Sequence, residues 1–107
     1  MKIVYNDFIP FKGFKCINFF GVLFVRNNTV MNDEDLNHEV IHTTQMKELW
    51  YIGFYLLYVI EFFIKLILNF NFKKAYRDIS FEKEAYQNED NLDYLLTRES
   101  YEWKKYW

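Results

Sequence analysis

The stretch LWYIGFYLLYVIEFFIKLIL, residues 49–68, constrains the fold more than any other part of this chain. It carries only two charged residues, Glu61 and Lys65, over a length close to that of a helix that crosses a bilayer. The two charges are four residues apart with the glutamate first, an order that favours a helix. A charged pair near the middle of a lipid-spanning helix is costly. The segment therefore predicts an apolar helix that is buried in protein, lies against lipid, or both.

The composition of the whole chain predicts a single folded domain over residues 1–107. Apolar residues make up 51% and aromatic residues 22% of the chain, which is enough to fill one core. The net charge is −2 and the basic residues are scattered, so we expect no nucleic-acid partner. The single cysteine, Cys16, excludes an internal disulfide and a cysteine-based zinc site, and we expect its thiol to be buried and unreactive.

The segment that follows Lys12 and Lys15 imitates part of a signal peptide. These two lysines precede about ten mostly apolar residues, from Cys16 to Val25. The next residues, 26–29, lack the small-residue pattern of a cleavage site. We therefore interpret the apolar segment as a strand and expect a cytoplasmic or peripherally membrane-associated protein without a signal peptide.

Residues 1–31 contain the predicted strands. We expect an irregular lead-in over residues 1–13 that ends at Gly13. Residues 14–26 are rich in β-branched and aromatic types, which is typical of strands. Gly21 predicts a bulge, or a bend between two strands.

A turn and the start of a helix follow these strands. Asn27-Asn28 predicts the turn, after which residues 29–31 extend a second strand. Asn32 can cap the free amides of a helix, and the acidic residues after it suit the positive end of the helix dipole. We expect this helix over residues 32–48.

The second half of the chain predicts further helices. We expect the apolar helix within residues 49–70, followed by a loop that reaches Lys74. Ser80 is a candidate cap for a helix over residues 78–91, which has acidic residues in its first turn. The tail, residues 92–107, mixes charge with aromatic residues and predicts a short helix or an ordered arm. Together these elements predict an α+β fold, mostly helical, in which a small N-terminal hairpin or strand pair packs on the first helix.

Both histidines of the chain lie in NHEVIHTTQ, residues 37–45, with the spacing HExxH. Residues four apart share a helix face, so His38 and His42 can present two ring nitrogens to one ion. Glu39 is rotated by about 100° and can reach a water on that ion without competing as a ligand. HExxH works by this arrangement in metalloproteases, whereas two partly exposed histidines are the simpler alternative. Gln45 continues the histidine face.

The two histidines need a third ligand, because a catalytic zinc usually takes three from the protein and leaves a position for water. The chain has no third histidine, and Cys16 lies on a predicted strand, so we expect a carboxylate. SFEKEAY, residues 80–86, offers Glu82 and Glu84, with Glu89 nearby. Such a cluster of glutamates is more often a solvated helix face. It is a candidate for the third ligand here because the two histidines alone do not complete a metal site.

HEVIH followed by a later E-x-x-A-Y pattern resembles the gluzincin branch of the zincin metallopeptidases, and in particular small bacterial proteins of a minimal zincin type. Tyr86 stands where that family often has an aspartate that hydrogen-bonds the histidines. Its hydroxyl would replace that contact or donate to an oxyanion. The roles that the resemblance implies are zinc ligands for His38, His42 and Glu82 and general base for Glu39.

The resemblance implies a zinc-dependent peptidase that acts on a peptide or protein substrate. Glu39 would take a proton from water and pass it to the leaving amine. Tyr86 or Arg77 would stabilise the oxyanion. In zincins, extended peptide binds by strand addition beside the active-site helix, and residues 20–27, which contain GVLFVRN, are the expected edge strand here.

The small size of the chain argues against a general protease, because little is left to form a second wall of a cleft. A membrane, the aromatic tail or a second copy in a homo-oligomer would complete the cleft. Two other classes of function stay open. One is a zinc site that serves stability or assembly without turnover, in which a protein side chain replaces the water. The other is a membrane-associated protein whose main feature is residues 49–68.

Overall fold

The computed structural model describes residues 1–10 and 14–107. It has an α+β architecture that is 57% helical, which confirms the predicted fold class. Its strands are β1 (Lys2–Asn6), β2 (Cys16–Phe19) and β3 (Val22–Arg26). Its helices are α1 (Asp33–Glu48), α2 (Ile52–Asn69), α3 (Phe72–Asp78), α4 (Ser80–Asn88) and α5 (Tyr94–Thr97), followed by a 3₁₀ helix at Glu102–Tyr106.

β3 is the central strand of a three-stranded sheet with the order β1-β3-β2. β2 and β3 form an antiparallel hairpin, whereas β1 pairs in parallel with β3. The prediction of an irregular lead-in is therefore wrong for Lys2–Asn6, which form β1. A short strand whose parallel partner is distant in the chain cannot be recognised from its neighbouring residues. Gly13, the expected end of that lead-in, lies outside the described residues. The predicted edge at residues 20–27 is also wrong, since β3 is paired on both sides and β2 lies at the edge.

A two-residue turn at Phe20 and Gly21 joins β2 to β3. Both residues have positive φ, 52° and 88°, as in the turns that match the twist of a hairpin. The predicted bend at Gly21 is confirmed, and so is the turn at Asn27-Asn28, where Asn28 has a φ of 68°. Residues 29–31 do not extend a strand, contrary to the prediction, and lead directly to the start of α1.

Asn32 caps α1 as predicted. Its side chain accepts a hydrogen bond from the Asp35 amide at 2.8 Å, and the Asp35 carboxylate accepts one from the Asn32 amide at 3.2 Å. This reciprocal arrangement gives a partner to two backbone amides, those of Asn32 and Asp35. The Asp35 amide lies in the first turn of the helix, where amides have no partner within the helix. α1 then continues through the HExxH motif to Glu48.

α2 packs one face on the core and buries a carboxylate there. Glu61 is 1% exposed and accepts hydrogen bonds from the amide and the hydroxyl of Ser80, at 2.5 and 2.7 Å. The Lys65 ammonium lies 5.6 Å from the centroid of the Trp107 ring. The predicted side-chain cap by Ser80 is wrong, because its hydroxyl ties α4 to α2 instead.

α3 occupies part of the segment that was predicted as a loop. Asn71 caps α3 by accepting a hydrogen bond from the Lys74 amide at 2.9 Å, so the helix begins at Phe72. α4 ends at Asn88, short of its predicted end at residue 91. The tail forms α5 and the 3₁₀ helix, and is an ordered arm as predicted.

The hydrophobic core lies where α1, α2, α4 and the 3₁₀ helix meet. Phe81 on α4 is fully buried, and its ring centroid lies 4.7 Å from that of Phe54 and 4.9 Å from that of Trp103. Met46 and Ile79 complete the buried cluster. Because these contacts fix the rotation of α4, they decide which of its glutamates faces the histidines of α1.

Candidate metal centre

α1 and α4 bring three candidate ligands together. The Nε2 atoms of His38 and His42 lie 3.1 Å apart, and Glu82 Oε1 lies 3.3 Å from the first and 3.1 Å from the second. All three side chains are buried. Within residues 1–10 and 14–107, this is the one cluster of histidine, cysteine and acidic side chains whose ligand atoms converge closely enough to hold a metal ion.

The spacing of these three atoms fits a tetrahedral ion. Zinc binds nitrogen and oxygen ligands at about 2.0–2.1 Å, so two ligands at the tetrahedral angle lie about 3.3–3.4 Å apart. The observed triangle, with sides of 3.1, 3.1 and 3.3 Å, agrees with this to within a few tenths of an ångström. Three acceptor atoms at such distances repel one another unless a cation or a shared proton lies among them. The cluster could therefore hold a metal ion.

Hydrogen bonds to the outer ring nitrogens fix both imidazoles. His38 Nδ1 lies 2.9 Å from Glu89 Oε2, and His42 Nδ1 lies 2.8 Å from Gln45 Oε1. An ionised carboxylate and an amide oxygen can only accept, so these partners assign a proton to each Nδ1 and leave each Nε2 lone pair for the cluster. Metal-ligating histidines are held by contacts of this kind.

Gln45 is itself held in the orientation that His42 requires. Its amide is fully buried, and its nitrogen donates to the Phe81 carbonyl oxygen and to Glu84 Oε1, both at 3.0 Å. Because the nitrogen has these two acceptors, the amide oxygen faces Nδ1 of His42. The sequence indicates that Gln45 lies on the same helix face as the histidines. It does not indicate the two acceptors of the Gln45 amide nitrogen, because these come from α4.

The two alternative third ligands have other partners. Glu84 is fully buried and accepts hydrogen bonds from Arg98 Nε at 2.5 Å and from the Tyr94 hydroxyl at 2.7 Å. Glu89 contacts the outer nitrogen of His38. The structure thus brings Glu82, and neither alternative, to the two Nε2 atoms.

The charges of Glu82 and His42 depend on each other. Burial acts to raise the pKa of Glu82, but His42 and hydrogen bonds from His38, His42 and Tyr58 hold it far below its usual range. Burial acts to lower the pKa of His42, but the Glu82 carboxylate outweighs it and raises the pKa to about 9. Tyr58 donates to Glu82 Oε2 at 2.7 Å, which leaves Oε1 for the histidines. The metal-free cluster therefore retains a proton at neutral pH.

Glu39 borders the cluster without joining it. It lines a pocket of ≈ 250 Å³ together with all three candidate ligands. Burial raises the pKa of Glu39, although the nearby His42 and His38 act to lower it. Asn18 on β2 donates to the Glu39 carbonyl oxygen at 3.0 Å and to Thr43 Oγ1 at 2.9 Å, which ties the edge strand to α1 beside the pocket.

Tyr86 lies behind His38, and its neighbour Tyr76 lines the metal pocket. The Tyr86 ring packs edge-on against the His38 ring with centroids 4.5 Å apart, and its hydroxyl lies 3.2 Å from that of Tyr76. The Arg77 guanidinium lies 3.7 Å from the centroid of the Tyr86 ring. Tyr76 and Tyr58 were missed from the sequence because they come from α3 and α2, and only the packing of these helices brings them to the site.

Cys16 lines the same pocket but is only partly buried, which differs from the expectation of a buried thiol. Burial, together with the carboxylates of Glu39 and Asp35, raises the pKa of Cys16 to about 12. The thiol is therefore protonated and unreactive near neutral pH. Its sulfur is not among the three convergent ligand atoms.

Comparison with protein-family models, with curated proteins and with solved structures found no match for this chain. The centre itself is therefore the basis for inferring a function. That centre is a buried cluster of two histidines and one glutamate, with the outer nitrogen of each histidine hydrogen-bonded, and it could hold a metal ion.

Proposed function

We propose that this chain is a zinc-dependent peptidase that hydrolyses peptide bonds with a water activated at the centre of His38, His42 and Glu82. The observation that carries the proposal is the position of Glu39, which shares the pocket with three convergent ligand atoms but is not one of them. A zinc site that serves stability alone takes four protein ligands and has no use for such a carboxylate. Within the described part of the chain, the cluster offers three.

Each residue of the centre has a defined part in the proposed reaction. Zinc in this centre would lower the pKa of a water in its open position and polarise the carbonyl of the substrate. Glu39 accepts a proton from that water and delivers it to the leaving amine, and its raised pKa suits both transfers. The hydroxyl pair of Tyr76 and Tyr86 supplies a hydrogen-bond donor for the oxyanion.

The proposed substrate is an extended peptide that binds along β2. β2 lies at the edge of the described sheet, and its residues Cys16, Ile17 and Asn18 line the metal pocket. An edge strand has outward amides and carbonyls without a strand partner, and these can add a further strand, although the Asn18 carbonyl of β2 already accepts a hydrogen bond from the Tyr55 hydroxyl at 3.0 Å. Strand addition at β2 would carry a peptide past Glu39, whose backbone carbonyl oxygen accepts a hydrogen bond from the Asn18 side chain.

The test is metal content followed by an assay of peptide cleavage. We expect about one zinc per purified chain, lost in His42→Ala and Glu82→Gln but kept in Glu34→Gln, a change at an exposed glutamate of α1. Cleavage of a mixed peptide library is read by mass spectrometry, and Glu39→Gln should keep the metal and abolish cleavage. Zinc without any cleavage would favour a non-catalytic zinc site. No metal in wild type after zinc is supplied would overturn the proposal.

A further inference from the structure

α2 turns an unbroken apolar stripe to the outside of the described structure. Its inner face packs on the core and holds the buried Phe54 and Glu61. Exposed apolar residues recur every three or four positions over the remaining circumference of the helix, and the exposed Leu68, seven positions after Glu61, extends the patch at the end of the buried side. We call this set the outer face of α2, and its members are Ile52, Leu56, Val59, Ile60, Phe63, Ile64, Ile67 and Leu68, each 41–70% exposed.

The outer face is more apolar than the surface of a protein in water. All eight members are aliphatic or aromatic, and they extend along a helix of 18 residues, about 27 Å at 1.5 Å per residue. Continuous apolar patches of more than a few hundred Å² mark sites of interaction with a protein or a membrane. α2 is also long and apolar enough to cross a membrane by length and composition, but its inner face is occupied by the protein core. Only the outer face is available to lipid.

Two strained aromatic residues lie at the ends of this face. Trp50, before α2, has a φ of 57° and is 87% exposed, and Phe70, after α2, has a φ of 52° and is 89% exposed. The left-handed region disfavours residues with a Cβ, and glycine or asparagine is the usual choice there. Neither ring recovers this cost by packing on the protein, since both are almost fully exposed. Exposed tryptophan and phenylalanine rings beside the apolar face of a helix are typical of helices that lie in the plane of a membrane interface.

An exposed basic pair follows the outer face along the chain. Lys73 and Lys74 begin three residues beyond the strained Phe70 and are both exposed, as is the Phe72 ring between them and α2. Lysines beside an apolar helical face are attracted to anionic lipid head groups. The net charge of the whole chain is −2, so this attraction depends on the local pair.

We propose that the outer face of α2 docks in the plane of a lipid bilayer that contains anionic lipids, with Trp50 and Phe70 in the interface. A second copy of the chain is the weaker choice of occupant. Protein interfaces surround an apolar centre with polar groups and form about one hydrogen bond per 100–200 Å². The eight residues of the outer face offer no polar side chain for such bonds, whereas hydrocarbon requires none.

The hairpin of β2 and β3 extends the docking surface towards the metal pocket. Phe19 and Phe20 at its tip are 54% and 44% exposed and form an apolar groove with the first half of α2. Tyr55 lines both this groove and the metal pocket. Docking therefore brings the pocket close to the bilayer. The inference stands apart from the proposed peptidase, because the docking surface contains no metal ligand.

The experiment is sedimentation of the full chain with sucrose-loaded vesicles of phosphatidylcholine alone, or with one quarter phosphatidylglycerol. We expect the wild type to sediment with both and at least threefold more tightly with the anionic vesicles. Leu56→Glu should reduce binding at least tenfold, whereas Leu96→Glu, which changes an 83% exposed leucine of α5, should not. Lys73→Gln with Lys74→Gln should remove the preference for anionic vesicles. Far-ultraviolet circular dichroism confirms that each variant is folded.

Two results would overturn the inference. The first is a folded wild type that does not sediment with either kind of vesicle, or that binds equally after Leu56→Glu. The second is a stable dimer by light scattering that Leu56→Glu converts to a monomer, without vesicle binding, which would make the outer face an interface between copies. His42→Ala should sediment like the wild type, and this separates docking from the fate of the metal centre.

Discussion

The amide oxygen of Gln45 lies 2.8 Å from Nδ1 of His42, and this contact decides which nitrogen of His42 faces the metal centre. Both side chains are buried, so water does not compete for the hydrogen bond. The amide of Gln45 is fixed in turn by Glu84, whose carboxylate is bound by Arg98. The orientation of a ligand on α1 therefore depends on an arginine from the C-terminal arm.

Gln45→Leu should weaken metal binding while the fold is kept. Loss of the acceptor at Nδ1 frees the His42 ring to rotate and to change tautomer, and loss of such a contact typically lowers metal affinity about 10–100-fold. Competition for zinc with a chromophoric chelator measures the change. The matched control is Gln87→Leu, at an exposed glutamine of α4. Equal affinities in Gln45→Leu and wild type would show that the contact does not position the ligand.

Arg98→Met should destabilise the protein strongly. Arg98 bonds both Glu84 and Glu48, and its removal leaves the fully buried Glu84 carboxylate without its cation. Breaking a buried pair from one side costs about 3–5 kcal/mol. Urea unfolding followed by circular dichroism gives the free energy of unfolding. Lys105→Met, which removes an exposed lysine paired with Glu102, should leave that free energy almost unchanged. Similar values for the two variants would contradict the role assigned to Arg98.

The stability of the metal-free protein should fall as the pH rises from 7 to 10. The pKa of His42 is raised from 6.5 to about 9 in the folded metal-free chain, so the protonated ring stabilises the fold. That contribution is fully present below pH 6.5 and is lost as the pH passes through about 9. Thermal unfolding at pH 6, 8 and 10 measures it.

The zinc-loaded protein provides the control for this pH dependence. A bound metal replaces the proton of His42, so the loaded protein should lack the decline that is centred on His42. Glu82→Gln, which removes the carboxylate that raises the pKa of His42, should also flatten the profile of the metal-free chain. A metal-free wild type whose melting temperature is level from pH 6 to 10 would be incompatible with a proton held in the cluster.

Phe70→Gly should stabilise the protein in solution. Phe70 ends α2 with a φ of 52°, where a residue with a Cβ loses about 1–2 kcal/mol relative to glycine. Glycine recovers part of this, about 1 kcal/mol, which corresponds to a rise in melting temperature of about 4 °C or more for a domain near this size. Phe72→Gly is the control, since Phe72 is also exposed but lies in the first turn of α3, where glycine is unfavourable. A melting temperature that falls in both variants would mean that the Phe70 ring packs in solution.

The HExxH helix could be predicted in detail because its determinants are local. The Asn32 cap, the acidic first turn and the spacing of His38 and His42 all lie within one helix, and the structure begins and ends α1 where the sequence indicated. The bend at Gly21 has the same character, because a positive φ is a property of one residue. Local rules failed at β1, where the partner strand is distant in sequence, and at α3, which is held by packing on α2.

The metal centre combines both kinds of information. Two ligands follow from the periodicity of one helix, and the need for a carboxylate follows from the absence of further histidines in the sequence. The sequence does not determine which of Glu82, Glu84 and Glu89 is the third ligand, because that depends on how α4 is rotated against α1. Packing of Phe81 into the core makes that choice. In the resulting rotation, Glu84 bonds Gln45 and Glu89 bonds the outer nitrogen of His38.

The sequence by itself determined the helical class of the fold, the helix face with two histidines and the apolar character of residues 49–68, since each depends on residue type and period. Only the tertiary structure decided that Glu61 turns inward to Ser80 while eight apolar residues of α2 remain outside. A helix that is apolar on nearly every side satisfies the same pattern in any rotation about its axis. The single buried carboxylate selects one rotation, because it must find hydrogen-bond donors inside the protein.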